Sequence, residues 1–209
     1  FKHIKKQADH VNLLLGKERG EAPDMKGSGK RFAHMIAIAP NASSSVICGN
    51  TSPSIEPLRA NAFSQKTLSG TFLIKNKYLE QLLEKKGKNT KDVWQTIITS
   101  GGSVTTLDFL NDKEKNVFRT AIEIDQAWLI DLAGERQKYI CQAQSLNLFF
   151  PPDVEVRRLN NVHKRAWTKG LKTLYYLRSE AIRRAENISV KVERQVRADS
   201  EEECVMCEA

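Results

Sequence analysis

Apolar residues recur at helical spacing from the start of the chain. Ile4, Ala8, Val11, Leu14 and Leu15 share one face, and Gly16 and Gly20 punctuate its end, which predicts a helix over residues 1–19. The glycine- and proline-bearing run from Gly20 to Lys30 reads as a loop, and the short apolar stretch His34 to Ala39 as a strand. Residues 50–70 hold two prolines and no helical period, so extended, irregular chain is expected. Helical stripes return over 76–86 (Tyr78, Leu79, Leu82, Leu83) and 91–100 (Val93, Trp94, Ile97, Ile98). The longest stripe, Val117, Phe118, Ala121, Ile122, Trp128, Leu129 and Leu132, predicts one continuous helix over 112–132.

Ser145 to Phe150 reads as a buried strand that Pro151 and Pro152 stop. Asp153 is placed to cap a helix running to Lys169, Gly170 ends it, and Thr173 to Leu177 forms the next strand candidate. Strand, helix, glycine turn and strand make a β-α-β unit, which implies parallel strands and a mixed α/β domain. From Ser179 onward aromatics vanish and 5 basic residues meet 8 acidic ones, a net of 5 − 8 = −3. That composition predicts a mobile tail.

Composition narrows the classes. With 209 residues and 40% hydrophobic content the chain can bury a core, and disorder throughout is excluded. No apolar run approaches the ~20 residues that cross a bilayer, and no signal-peptide core follows the lysines of the opening, so a soluble, cytoplasmic protein without membrane contact is expected. Phe1 is not a translational start, so the sequence is expected to be processed or part of something longer. The charge of +8 permits phosphate-bearing partners, but the cations are interleaved with acids and aromatics make up only 7%. Solvated helix faces are the expectation, and nucleic acid is not an expected partner.

Three groups of residues carry candidate chemistry. Pro40-Asn41-Ala42-Ser43-Ser44-Ser45 follows an apolar run and offers free amides and hydroxyls suited to a phosphate, although an ordinary serine helix cap explains the spacing equally. Tyr175 and Tyr176 are adjacent; in a regular strand they would face opposite sides, and stacking them would require the chain to leave strand geometry. Cys204 and Cys207 form a C-x-x-C at the tip of the tail, and no second pair of ligands accompanies them. A dithiol that closes into a disulfide therefore fits better than zinc, and no metal site is expected. The acids around it disfavour the thiolate. Cys48 and Cys141 stand alone in apolar sequence, where a small buried hydrophobe is the usual role.

The succession Ala39 to Pro57 (APNASSSVICGNTSPSIEP), Lys66 to Leu83, Tyr139 to Phe150 (YICQAQSLNLFF) and Lys164 to Ser179 (KRAWTKGLKTLYYLRS), closed by the C-x-x-C, resembles the C-terminal part of the large, catalytic subunit of class I ribonucleoside-diphosphate reductase. The resemblance implies the C-terminal part of a ten-stranded α/β barrel over 1–178 and a redox-active flexible tail over 179–209. It implies that Asn41, Ala42, Ser43 and Ser44 bind the substrate diphosphate, with Asn41 standing where Thr or Ser is common. Tyr175 and Tyr176 match a stacked pair relaying a radical from the metal cofactor of the small (beta) subunit. Cys204 and Cys207 match the dithiol that re-reduces the active site and is recharged by thioredoxin or glutaredoxin. No cofactor is expected on this chain itself. The radical-bearing cysteine, its Asn and Glu neighbours, one reducing cysteine and the ATP/dNTP effector sites have no counterpart here, so the N-terminal part of the large subunit is an implied partner. Alone, the chain is expected to be catalytically incompetent. The competing reading is a basic α/β module for nucleic acid or protein with an incidental C-x-x-C.

Overall fold

The computed structural model describes residues 1–41, 44–49, 55–67 and 70–179. Ala42, Ser43, the 180–209 portion of the predicted tail, and with it Cys204 and Cys207, lie outside the described residues. The chain opens with α1 (Lys2–Arg19), and a short 3-10 turn (Pro23–Met25) lies in the glycine loop. Next come α2 (Ser44–Ile47) and a hairpin of β1 (Ala62–Thr67) and β2 (Gly70–Lys75). Helices α3 (Lys77–Lys85), α4 (Lys91–Thr99), α5 (Asp112–Val117) and α6 (Gln126–Gln137) follow, and then β3 (Leu148–Phe150), α7 (Val156–Thr168) and β4 (Leu177–Ser179). β3 and β4 pair in parallel, with Leu148 opposite Leu177. The β-α-β expectation therefore holds, although the second strand begins later than 173.

The first core gathers around α3 and α4. Leu79, Leu83 and Ile97 are fully buried there with Trp94, Val104, Leu107 and Leu110 around them. Each fully buried Leu or Ile contributes about 1.5–3 kcal/mol relative to exposure. Asn76 caps α3 by accepting the Tyr78 and Leu79 amides, and Thr90 caps α4 through the Val93 amide. The second core lies between α6, α7 and the parallel pair: Ile130, Ala133, Leu146, Leu148, Phe150, Val162 and Ala166. Leu171 and Leu174, shortly before the two tyrosines, pack against it.

Several expectations are corrected. Residues 112–132 form two helices, because the chain between them is diverted by polar contacts: the Ala121 amide donates to the Leu58 carbonyl, and Glu123 accepts from Thr120 N–H and Oγ1. Asp125 then caps a new helix. Residues 34–39 make a single parallel bridge, Ile38 to Gln144, in place of a strand. Chain expected to be irregular up to residue 70 contains β1, paired antiparallel with Ala62 opposite Lys75. Asp153 does not cap α7, whose N-cap is Glu155 without a side-chain bond. In α1 none of the predicted stripe is fully buried, with Ile4, Val11 and Leu14 exposed and Ala8 and Leu15 half-buried, while Asn12 and Gly16 are buried. Asn12 exchanges hydrogen bonds with the Phe32 backbone, and a Cβ at position 16 would collide with the Gly29 carbonyl. Close backbone approach, not apolar burial, docks that helix.

α6 and α7 are also joined by charge. Arg165 Nε and Nη2 donate to the two oxygens of Asp131 at 2.8 and 2.5 Å, and Lys169 Nζ lies 3.3 Å away. The Arg165 hydrogen bonds hold the Asp131 carboxyl down to about 2 from its ordinary 3.8. A depressed carboxyl contributes stability above its unfolded pKa and loses it as pH falls through the folded value. Thermal melts should therefore place Asp131→Asn below the native chain near neutral pH, with the gap closing between 3.8 and about 2. The pair is exposed to solvent, so the gap should also shrink with salt.

Candidate functional site

In a regular parallel ladder every second residue of a strand turns its N–H and C=O toward the same neighbour. Leu148 N–H donates to the Tyr176 carbonyl at 2.9 Å, so the Tyr176 N–H would regularly reach the Leu146 carbonyl. It does not. The Leu146 carbonyl instead accepts the Tyr175 N–H at 2.9 Å, and the Tyr176 N–H goes to the side-chain Oδ1 of Asn147 at 3.2 Å. One extra residue has been inserted into the ladder, as in a β-bulge. This departure from strand geometry lets the two adjacent side chains come together.

The two rings accordingly meet. Their centroids are 4.1 Å apart with planes inclined at 47°, and the Tyr175 hydroxyl donates to the Tyr176 hydroxyl at 3.3 Å. Both rings are about half exposed, at 47% and 52%. The Arg178 guanidinium lies 5.1 Å from the Tyr176 centroid, where a cation is attracted to the ring face. The hydrogen bond to Tyr176 pushes the Tyr175 phenol above the ordinary 10.0, and partial burial adds to it. Core packing for either tyrosine is thereby set aside.

Asn147 is itself held. Glu56, only 5% exposed, accepts the Asn147 backbone N–H at 2.5 Å and its side-chain Nδ2 at 2.9 Å. Burial raises the Glu56 pKa, while the two Asn147 bonds and the charge of Arg178 oppose the rise. Sequence reasoning passed over both residues. The available signal was a lone amide inside the apolar run Leu146 to Phe150.

At the candidate phosphate loop, Asn41 sits in the left-handed region at φ 50 and its carbonyl accepts the Ser45 N–H at 3.0 Å. The Ser44 hydroxyl donates to the same carbonyl at 3.4 Å and is exposed. Asn tolerates a positive φ better than most residues, which gives its presence there a backbone reason as well as a chemical one. Cys48 is exposed, contrary to expectation, and Cys141 is half-buried. Met35 and Ile36 amides donate to the Cys141 sulfur at 3.0 and 3.1 Å. Burial raises that thiol's pKa, but the backbone bonds prevail and the net shift is downward. No cluster of three or more potential metal ligands occurs among the described residues, and no helix among them is long and apolar enough to cross a membrane.

A β-α-β unit with parallel strands thus carries two tyrosine rings in contact at an interruption of its ladder. The family model "Ribonucleotide reductase, barrel domain" matches residues 17–177. The chain belongs to the ribonucleotide reductase family. It is 51% identical over 193 residues to the ribonucleoside-diphosphate reductase large subunit of Invertebrate iridescent virus 6, covering 90% of this chain and 20% of that protein. It is 47% identical to the corresponding subunit of Invertebrate iridescent virus 3, covering 100% of this chain and 33% of the relative. Among solved structures, the Actinobacillus ureae class Id ribonucleotide reductase alpha subunit matches with a TM-score of 0.76 and 39% identity, over 85% of this chain and 32% of that one. The chain thus spans a fifth to a third of the length of these relatives. The binding-module alternative is not favoured by any of these matches.

The hydrogen bond between the phenols has a spectroscopic consequence. In an alkaline absorbance titration, one phenol should ionise later than free tyrosine and be missing in Tyr175→Phe. In Tyr176→Phe the main cause of the upward shift is gone, so the remaining phenol should return toward the ordinary range.

Proposed function

We propose that this chain is the part of a ribonucleoside-diphosphate reductase large subunit that relays a radical, grips the substrate diphosphate and returns reducing equivalents. The complete enzyme then converts ribonucleoside diphosphates to 2′-deoxyribonucleoside diphosphates in the cytoplasm. The observation that carries the reading is the Tyr175–Tyr176 pair, with rings 4.1 Å apart and phenols in hydrogen-bond contact.

The relay step follows from that contact. A hole arriving on Tyr176 leaves a phenoxyl oxygen facing the Tyr175 O–H. An electron passes from the Tyr175 ring to the Tyr176 ring while the Tyr175 proton crosses to the Tyr176 oxygen, so Tyr176 is restored and Tyr175 becomes the neutral phenoxyl. Coupled transfer avoids both a charged phenol radical and a phenolate. The hydrogen bond from Tyr175 to Tyr176 sets the line along which that proton moves. The hole originates on the metal cofactor of the small subunit and ends on a cysteine in the remaining part of the large subunit.

Asn41, Ala42, Ser43 and Ser44 receive the diphosphate, which the exposed hydroxyl of Ser44 and the short turn around Asn41 support. Cys204 and Cys207 pass reducing equivalents inward by thiol–disulfide exchange. Their two thiols become a disulfide as the active-site disulfide becomes two thiols, and thioredoxin or glutaredoxin reverses the change. ATP and dNTP effectors act on the remaining part of the subunit.

The reading is tested in an enzyme assembled from this chain, the remaining part of the large subunit and a small subunit. Tyr175→Phe and Tyr176→Phe keep ring and packing, so stability should change by at most ~1 kcal/mol, yet each should abolish deoxynucleotide formation. Normal activity in either variant removes that tyrosine from the relay. Separately, Cys204→Ser with Cys207→Ser should allow about one turnover per site with thioredoxin, and a small dithiol that enters the pocket should restore cycling. Sustained thioredoxin-driven turnover without these thiols would remove the shuttle.

A further inference from the structure

We infer that Glu56 and Asn147 are positioning residues that hold the ladder interruption at the tyrosine pair and so set the contact between the two phenols. The inference rests on the relay reading above.

The argument is one of donors and acceptors. Inserting a residue leaves the Tyr176 N–H without its regular partner on β3, because the Leu146 carbonyl is taken by the Tyr175 N–H. Asn147 Oδ1 accepts it at 3.2 Å. An asparagine side chain is free to present either its oxygen or its NH2, and only the oxygen suits Tyr176. Glu56 fixes the choice. Its carboxylate faces the Asn147 N–H at 2.5 Å and the Asn147 NH2 at 2.9 Å, both donors, so the amide can be seated in only one orientation. Acceptor, donor, acceptor and donor alternate from Glu56 through Asn147 to Tyr176. The same carboxylate belongs to chain that follows the candidate phosphate loop at Asn41 and Ser44, so the clamp joins two distant segments of the sequence at the relay.

This alternation makes a reciprocal exchange informative. In Glu56→Gln, the new NH2 opposes donors. The backbone N–H of Asn147 is fixed and takes the Gln oxygen, so the Gln NH2 faces the side chain and turns the Asn147 amide over. Its NH2 then meets the Tyr176 N–H, donor against donor. In Glu56→Gln with Asn147→Asp, the Asp carboxylate accepts from Gln on one oxygen and from Tyr176 on the other. The alternation and the net charge are both restored.

The test uses the assembled enzyme and two readouts: kcat and KM for a ribonucleoside diphosphate, and hydrogen exchange of the Tyr176 amide. Glu56→Gln should lower kcat by about ten- to a hundredfold, as small misplacements of reacting groups do, with KM unchanged and the Tyr176 amide exchanging faster. The double exchange should recover kcat and amide protection together. Native turnover and protection in Glu56→Gln would overturn the inference, and so would failure of the double exchange to recover protection. Should Glu56→Gln fail to fold, the double exchange decides alone: protection and turnover are expected, and loss of both overturns the clamp. Tyr176→Phe is measured in parallel. If it turns over normally the relay reading falls, and Tyr176 amide protection still decides whether the clamp exists.

Discussion

A strand in a parallel pair can offer its neighbour only every second amide, and two adjacent side chains cannot share a face while that rule is obeyed. The Tyr175–Tyr176 contact therefore depends on a ladder that gains one residue between the Leu146 carbonyl and the Leu148 amide. Everything around the site serves that irregularity. The second core supports β3 from below, α7 returns the chain in parallel, and Asn147 supplies the acceptor that the displaced Tyr176 amide needs. The Glu56 carboxylate, drawn from far earlier in the sequence, completes the arrangement.

What could be read from the sequence follows the range of the forces involved. α3 and α4 are local, amphipathic and capped by Asn76 and Thr90, and their stripes face the core as expected except for Tyr78, which is exposed. The β-α-β unit was legible because Pro151, Pro152 and Gly170 punctuate it. The break between α5 and α6 was not, since the apolar period runs through it and the Leu58 carbonyl that diverts Ala121 is distant in sequence. The stripe of α1, none of it fully buried, escaped for a related reason: a glycine contact and one asparagine fix the docking, and periodicity records neither. At the site, the tyrosines stood out as a pair, whereas Glu56 and Asn147 looked like ordinary polar residues until the fold placed them 2.5 Å apart.

Membership of the ribonucleotide reductase family rests on a match across residues 17–177, within which both tyrosines, the clamp and the described part of the candidate phosphate loop fall. The proposed chemistry divides along the same line. The tyrosine pair and the loop at Asn41 would serve the hole and the phosphate, and the thiols at positions 204 and 207 would work by thiol–disulfide exchange. Exposed apolar residues such as Trp128, Val156 and Trp167 lie on α6 and α7, on surfaces turned away from the second core.

The central claim is the inserted residue and the amide it displaces. A crystal structure of the complete large subunit, at a resolution that fixes backbone amides and phenol oxygens, measures it directly. The account predicts the Tyr175 N–H on the Leu146 carbonyl, the Tyr176 N–H on Asn147 Oδ1, and phenol oxygens in contact near 3.3 Å. A regular ladder, with the Tyr176 N–H on the Leu146 carbonyl and the rings on opposite faces of the strand, would contradict it.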